Sequence, residues 1–258
     1  MTKHPLTTVT VALGLSLALT LAAAVSAGAA EIKLMASNAL KSAGEELVPA
    51  FEKSSGHKVV MQWGAAVPLK AEIEKGASFD LTILTVAGID DLVKQGKLTA
   101  ATRTVLVNSG AGVAVRKGAP KPDIGTVDAF KRALTNAKTV AYVEQGGTGI
   151  YLKALIPRLG LADALKGKVV LLPPENPAAH AVANGEAEIG MTQISEILPY
   201  AGAQLVGPLP AEIQLTTSFA VAVASNAKQT AAAQAFIAFL KGASAAAVLK
   251  AKGLDPVM

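Results

Sequence analysis

The chain has 258 residues, 51% of them hydrophobic, 17% charged and 4% aromatic, with a formal charge of +5. That composition supplies a core for one large domain or two small ones and excludes a disordered chain. The absence of cysteine removes disulfides, thiolate metal sites and a cysteine nucleophile. The Lys and Arg residues form no run longer than an adjacent pair, unlike the concentrated charge of a nucleic-acid binder.

In chain order, Lys3 stands in a short polar start, residues 9–25 are apolar or small without a break, and small residues fill 26–30. This is the layout of a secretory signal peptide, with cleavage expected after Ala27 or Ala30. No later stretch is long and apolar enough to span a bilayer. Without cysteine there is no lipid anchor. A free exported protein stays near its cell only behind an outer membrane, so a Gram-negative periplasm is expected.

From residue 31 strands and helices alternate. Residues 32–37 read as a strand, and apolar residues recur at helical spacing over 40–51 until Gly56 closes the run. Residues 57–63 read as a strand, 68–75 as a helix opened by Pro68, 81–85 as a strand and 89–94 as a helix ended by Gly96. Residues 104–107 and 112–115 are β-rich, and Thr126 caps a helix through 134. Strands are expected at 139–143, 169–172, 189–191, 204–207 and 217–224, with helices at 150–159, 178–184, 230–240 and 243–250. The alternation predicts an α/β protein with mainly parallel sheets covered on both faces. The Pro- and Gly-rich segment 118–125 is the strongest boundary signal. Two long β-rich stretches dividing such a chain are what two lobes on a paired hinge need.

Catalytic motifs are missing. His57 and His180 share no metal-ligand spacing, no serine stands in G-x-S-x-G, and no Lys follows the Gly146–Gly149 loop at P-loop spacing. The acidic pairs Glu45-Glu46 and Asp90-Asp91 fall on helices and read as solvated faces, and Asp80 as a turn cap. No general acid–base pair emerges, no cofactor is implied, and the chain is expected not to be an enzyme. Short polar or glycine loops follow the strands instead: Ser37-Asn38, Gly64-Ala65-Ala66, Thr85, Gly146–Gly149 and Thr192-Gln193. In open α/β sheets ligands bind at such carboxyl ends, where free N–H groups of helix starts suit an anion.

The segments LMASNALKSAGEELVPAFEKSSGHKVVMQWGAA, LKAEIEKGASFDLTIL, GVAVRKGAPKPDI, GTGIYLKAL, NGEAEIGMTQISEIL and FAVAVASNAKQTAAAQAFIAFL resemble, in order and spacing, the molybdate-binding branch of type 2 periplasmic solute-binding proteins. These are receptors of ABC importers. The resemblance runs from Glu31 to the C-terminus and implies two α/β lobes, 31–111 with 216–258 and 112–215, joined by a two-strand hinge around a ligand cleft. It places a donor serine at Ser37 and backbone donors at Ala65 or Ala66, where the family has a second serine. Thr148 precedes the family's glycine, here Gly149, in its Gly-x-Tyr motif. The next loop contact falls near Glu175 or Asn176, and the family's tyrosine falls on Gln193. With Asn38 and Thr85 these form the expected ligand site.

One serine and the tyrosine are therefore replaced. Each charge-assisted donor is worth about 1.5–3 kcal/mol, so their loss weakens molybdate binding unless Thr148 or Asn38 compensates. Gln193 offers a donor and an acceptor, which suits an organic acid or amide at least as well as a bare oxyanion. The expected function is capture of a small anion, a molybdate-like oxyanion or a small organic acid, for the membrane permease subunits of an importer. The alternative is a periplasmic sensing module feeding a membrane receptor. A monomer with no nucleic-acid partner is expected.

Overall fold

The computed structural model describes residues 1–2 and 28–257; the expected signal peptide lies almost wholly outside the described residues. The chain opens with β1 (Glu31–Ser37), a short 3-10 turn over Asn38–Leu40, α1 (Lys41–Ser55) and β2 (Lys58–Gly64). Helix α1 ends where Gly56 takes a left-handed φ of 75°, a conformation that favours glycine. There follow α2 (Ala66–Glu74), β3 (Leu81–Thr85), α3 (Val86–Lys94) and the long β4 (Thr104–Arg116). The middle of the chain forms α4 (Val127–Asn136), β5 (Val140–Val143), α5 (Gly147–Arg158), β6 (Val169–Leu172), α6 (Ala178–Ala183), β7 (Ile189–Gln193), α7 (Ile194–Ile197) and β8 (Ala203–Pro208). Strand β9 (Thr216–Val223), α8 (Thr230–Leu240), α9 (Ala243–Ala251) and β10 (Asp255–Pro256) complete it.

The strands run in the order β2-β1-β3-β9-β4-β7-β5-β6, with β8 and β10 also on β4. Strand β1 pairs in parallel with β2 and β3, and β5 with β6 and β7. Strand β4 connects these two parallel groups. Its residues 104–110 pair antiparallel with β9, and its residues 111–115 pair antiparallel with β7. What the sequence suggests as two β-rich pieces, 104–107 and 112–115, is thus one strand that passes from one half of the molecule to the other. Segment 118–125, the strongest boundary signal, is instead the connection from β4 to α4, and its Ile124 packs into the second core.

The cores divide along the same line. One half packs Ile32, Leu34, Leu47, Phe51, Val221 and Phe236 around β1 and β9, with Phe51 and Phe236 edge to face at 4.9 Å. A second cluster on its other sheet face joins Leu69, Ile73, Leu84 and Leu92. The other half buries Val113, Phe130, Tyr142, Leu152, Leu155 and Met191. Each sheet is covered on both faces, as near-continuous apolar strands such as LTILT require. The fold is therefore α/β and two-lobed.

Asp80 ties the first half together. Its buried carboxylate accepts from the backbone N–H groups of Lys33 at 2.9 Å, Lys228 at 2.9 Å and Gln229 at 3.0 Å. It joins β1 to the start of α8, a longer reach than the turn cap expected of it.

Candidate functional site

The carboxyl ends of β1, β2, β3, β5 and β7 open into one cavity of about 540 Å³, lined among others by Ser37, Gly64, Thr85, Val143 and Gln193. This is where an open α/β sheet holds a ligand. The cavity gathers all five of the loops singled out in the sequence: Ser37-Asn38, Gly64-Ala65-Ala66, Thr85, Gly146–Gly149 and Thr192-Gln193.

On the first side, local chain geometry sets the donors. Ser37 is the last residue of β1 and caps the following turn, its Oγ accepting from the Ala39 N–H at 3.4 Å. The hydroxyl hydrogen remains to donate into the cavity. Ala65 occupies the cap position of α2 without a side-chain bond, so the first N–H groups of α2 have no side-chain acceptor there. Thr85 caps α3, accepting from the Gly88 N–H at 3.2 Å. Trp63 also lines this side. It is seated over α1 at Gly44, where a Cβ would come within 2.4 Å of its ring.

On the second side, α5 begins at Gly147 with Gly146 as its cap, three residues earlier than the sequence suggests. Thr148 is thus inside the first turn, and its hydroxyl is not the cap. The helix start sits hard against the end of β5: a Cβ on Gly149 would stand 1.9 Å from the Val143 carbonyl oxygen, so only glycine permits this approach. Gln193, at the end of β7, donates Nε2 to Thr148 Oγ1 at 3.2 Å and to Thr217 Oγ1 at 3.1 Å. Its Oε1 has no hydrogen-bond partner among the described residues.

Asn176 is the exception among the expected site residues. Its neighbours Pro174, Glu175 and Pro177 line the cavity and Asn176 does not. Its amide is bound outward, Nδ2 donating to Glu186 Oε2 at 3.1 Å and Oδ1 lying 3.0 Å from His180 Nδ1. His57 is likewise structural, its Nδ1 accepting from the Ala30 N–H at 3.2 Å.

Several lining residues escape sequence reasoning: Lys41, Glu45, Thr217, Tyr200 and above all Glu196. Glu45 is exposed but borders the cavity rather than a purely solvated face. Glu196 is half-buried in the first turn of α7 and accepts from the Thr192 hydroxyl. Burial pushes its carboxyl above the ordinary carboxylate range, against the opposing hydrogen bonds of the Thr192 hydroxyl and the Gln193 backbone N–H. Burial also raises the Tyr200 phenol, helped by the charges of Glu196 and Glu45. The signal for Glu196 was a carboxylate three residues after a strand end, the third position of a helix whose cap is Gln193. Its burial was not visible.

Two α/β halves joined through adjacent crossing strands, with a cavity at the strand ends between them, define a type 2 solute-binding fold. The chain belongs to the bacterial extracellular solute-binding proteins, whose family profile matches residues 32–255, and within them it is molybdate-binding-protein-like. It is 32% identical over 235 residues, 88% of each chain, to a Pseudomonas protein named aconitate isomerase. It is 28% identical over 237 residues to the molybdate-binding protein ModA of Azotobacter vinelandii, covering 88% of this chain and 91% of that one. The solved structure of the Azotobacter vinelandii periplasmic molybdate-binding protein superposes with a TM-score of 0.73 at 22% identity, over 88% of this chain and 99% of that one.

These likenesses correct one expectation. The sequence, lacking an acid–base pair, excludes an enzyme; similarity to a protein named as an isomerase, over most of both chains, overturns that exclusion. The cavity does hold one titratable group that a search for sequence-adjacent pairs passes over: Glu196, whose carboxyl burial holds above the ordinary carboxylate range.

Proposed function

We propose that this protein captures a small organic acid carrying more than one carboxylate in the cavity between its halves, and presents the closed form to the membrane subunits of an ABC importer. An N-terminal signal peptide directs it to the periplasm and is removed by cleavage after Ala27 or Ala30. The two halves are residues 31–111 with 216–258, and 112–215, and they move about the crossing of β4 and β9. Ligand bound to both halves favours the closed form, since only that form brings both sets of donors to it.

The observation that carries this reading is a cavity of about 540 Å³ at five strand ends. That volume falls in the range of small-molecule pockets. Ser37, Asn38, the N–H groups at Ala65 and Ala66, Thr85, Thr148 and the N–H of Gly149 supply donors, and Lys41 a positive charge at the cavity. The replacement of a serine by Ala65 or Ala66 and of a tyrosine by Gln193 points away from molybdate. The relative named for aconitate, a six-carbon tricarboxylic acid, fits the same size. Calorimetric titration with cis-aconitate, trans-aconitate, citrate, sulfate and molybdate tests it. Binding of at least one tricarboxylate more tightly than either oxyanion supports it; selective molybdate binding overturns it.

Glu196 favours a second reading, in which the bound acid is also isomerised. Interconverting isomers of an unsaturated acid calls for a group that takes up a proton and gives it back. Glu196 lines the cavity, and burial holds its carboxyl above the usual range. Proton NMR of cis-aconitate incubated with catalytic amounts of protein tests this. Turnover abolished by Glu196→Gln supports it, and an unchanged spectrum over many protein equivalents rules it out.

A further inference from the structure

Gln193 touches hydroxyls from both sides of the cavity. It is 5% exposed, stands at the end of β7 opposite Ala111 of β4, and lines the cavity. Its single Nε2 donates to Thr148 Oγ1 in the first turn of α5 at 3.2 Å and to Thr217 Oγ1 at the start of β9 at 3.1 Å. Both threonines line the same cavity. A hydroxyl that accepts from an amide keeps its own hydrogen for another acceptor. With Nε2 between them, both hydroxyl hydrogens are turned away from Gln193.

The cost of the arrangement is visible. Gln193 Oε1 is buried without a hydrogen-bond partner among the described residues, and such a group in a native site calls for an explanation. The opposite orientation of the amide would pair its oxygen with both hydroxyls and draw their hydrogens onto it. The site would then have no hydroxyl donor left at Thr148 or Thr217.

We infer that Thr217 is an unrecognised ligand-binding residue, and that Gln193 is a positioning residue that aims the Thr148 and Thr217 hydroxyls together at one carboxylate of the bound acid. The inference rests on the organic-acid reading above and deepens it. A carboxylate presents two acceptor oxygens in one plane, and two hydroxyls held by one amide lie close enough together to meet them. In the proposed division Thr217 belongs to the first half and Thr148 to the second, so a carboxylate bound by both bridges the cleft. Thr217 leaves no sequence signal, because nothing near it in the chain marks the start of β9 as part of a site.

Titration with trans-aconitate and with citrate, the probes used, tests this on the wild-type protein and on Thr217→Val, Thr217→Ser, Thr148→Val with Thr217→Val, and each of these with Gln193→Met. Melting curves without ligand show which variants fold. Thr217→Val is expected to weaken binding roughly ten- to a hundredfold, the loss of a charge-assisted donor. Thr217→Ser, which restores the hydroxyl, binds within a few-fold of wild type. Gln193→Met weakens binding in the wild-type background but not further in the double-valine background, a pattern that a merely structural role would not produce. A folded Thr217→Val protein that binds as tightly as wild type overturns the inference while leaving the organic-acid reading intact. A wild-type protein that binds neither of these acids nor cis-aconitate overturns the organic-acid reading and this inference with it.

Discussion

The two sides of the cavity are built differently. On the side of β1, β2 and β3, Ser37, Ala65 and Thr85 stand where a strand runs directly into a helical turn. Ser37 and Thr85 cap their own turns, at 3.4 Å from the Ala39 N–H and 3.2 Å from the Gly88 N–H. On the side of β5 and β7 the polar groups are held by residues far away in the chain. Thr148 is bound by Gln193, 45 positions on, and Gln193 by Thr217 a further 24 positions on. The first side is encoded locally, within a few residues of each cap. The second depends on tertiary packing, and substitutions there propagate.

The largest effect that would sharpen this contrast is Gly149→Ala. The added Cβ meets the backbone carbonyl of Val143 at 1.9 Å, which no rotamer change relieves. A loss of about 3 kcal/mol in stability is expected, the upper range for overpacking, with loss of ligand binding as α5 is pushed off β5. Urea denaturation measures it; a stability unchanged from wild type breaks the claim that the second side depends on that close approach.

Next in size are Ser37→Ala and Thr148→Val, one on each side. Each should weaken binding of the acid by about 1.5–3 kcal/mol, and the double variant by less than the sum, because a ligand released from one side no longer holds the other closed. Ser37→Ala also removes a cap and lowers the melting temperature by an amount corresponding to about 1 kcal/mol. Strictly additive losses in calorimetry would mean that the two sides act independently.

Glu196 gives a smaller, pH-dependent effect. Its folded carboxyl titrates above the ordinary carboxylate range because of burial. Between those two values the folded chain holds a proton that the unfolded chain has lost, so this group's contribution to stability declines as pH rises through that window. Glu196→Gln removes the decline, and anion binding in that variant becomes less sensitive to pH because no carboxylate forms in the cavity. Melting curves and titrations at several pH values check both. The same slopes in variant and wild type would show that Glu196 ionises normally.

The smallest expected effect is that of Asn176→Ala. Its side chain is bound to Glu186 and His180 outside the cavity, so affinity should stay within about 0.5 kcal/mol of wild type. A larger loss would bring the Asn176 side chain itself into the site.

The difference between the sides also explains what the sequence made legible. Strand-to-helix junctions such as Ser37-Asn38 and Gly64-Ala65-Ala66 carry their signal within a few residues, so periodicity and capping rules found them. The α/β class and the long crossing strands were legible for the same reason. The start of α5 lies three residues earlier than the sequence suggests because the glycines of 146–149 read as loop, whereas Gly147 to Gly149 form the first turn of the helix, with Gly149 packed against the Val143 carbonyl. Helix α7 was missed because its four residues are too few for a period to show. Glu196 and Thr217 were missed because burial and cross-chain hydrogen bonds have no local trace. Asn176 was placed in the site by position in a pattern, one residue away from two that do line it.

The most direct test of the central claim, that both sides hold one organic acid and close on it, is small-angle X-ray scattering of the protein with and without saturating trans-aconitate, with molybdate as the comparison. The account predicts a smaller radius of gyration with the acid and little change with molybdate. An unchanged radius at a concentration of acid that calorimetry shows to be saturating, or contraction with molybdate alone, would contradict it.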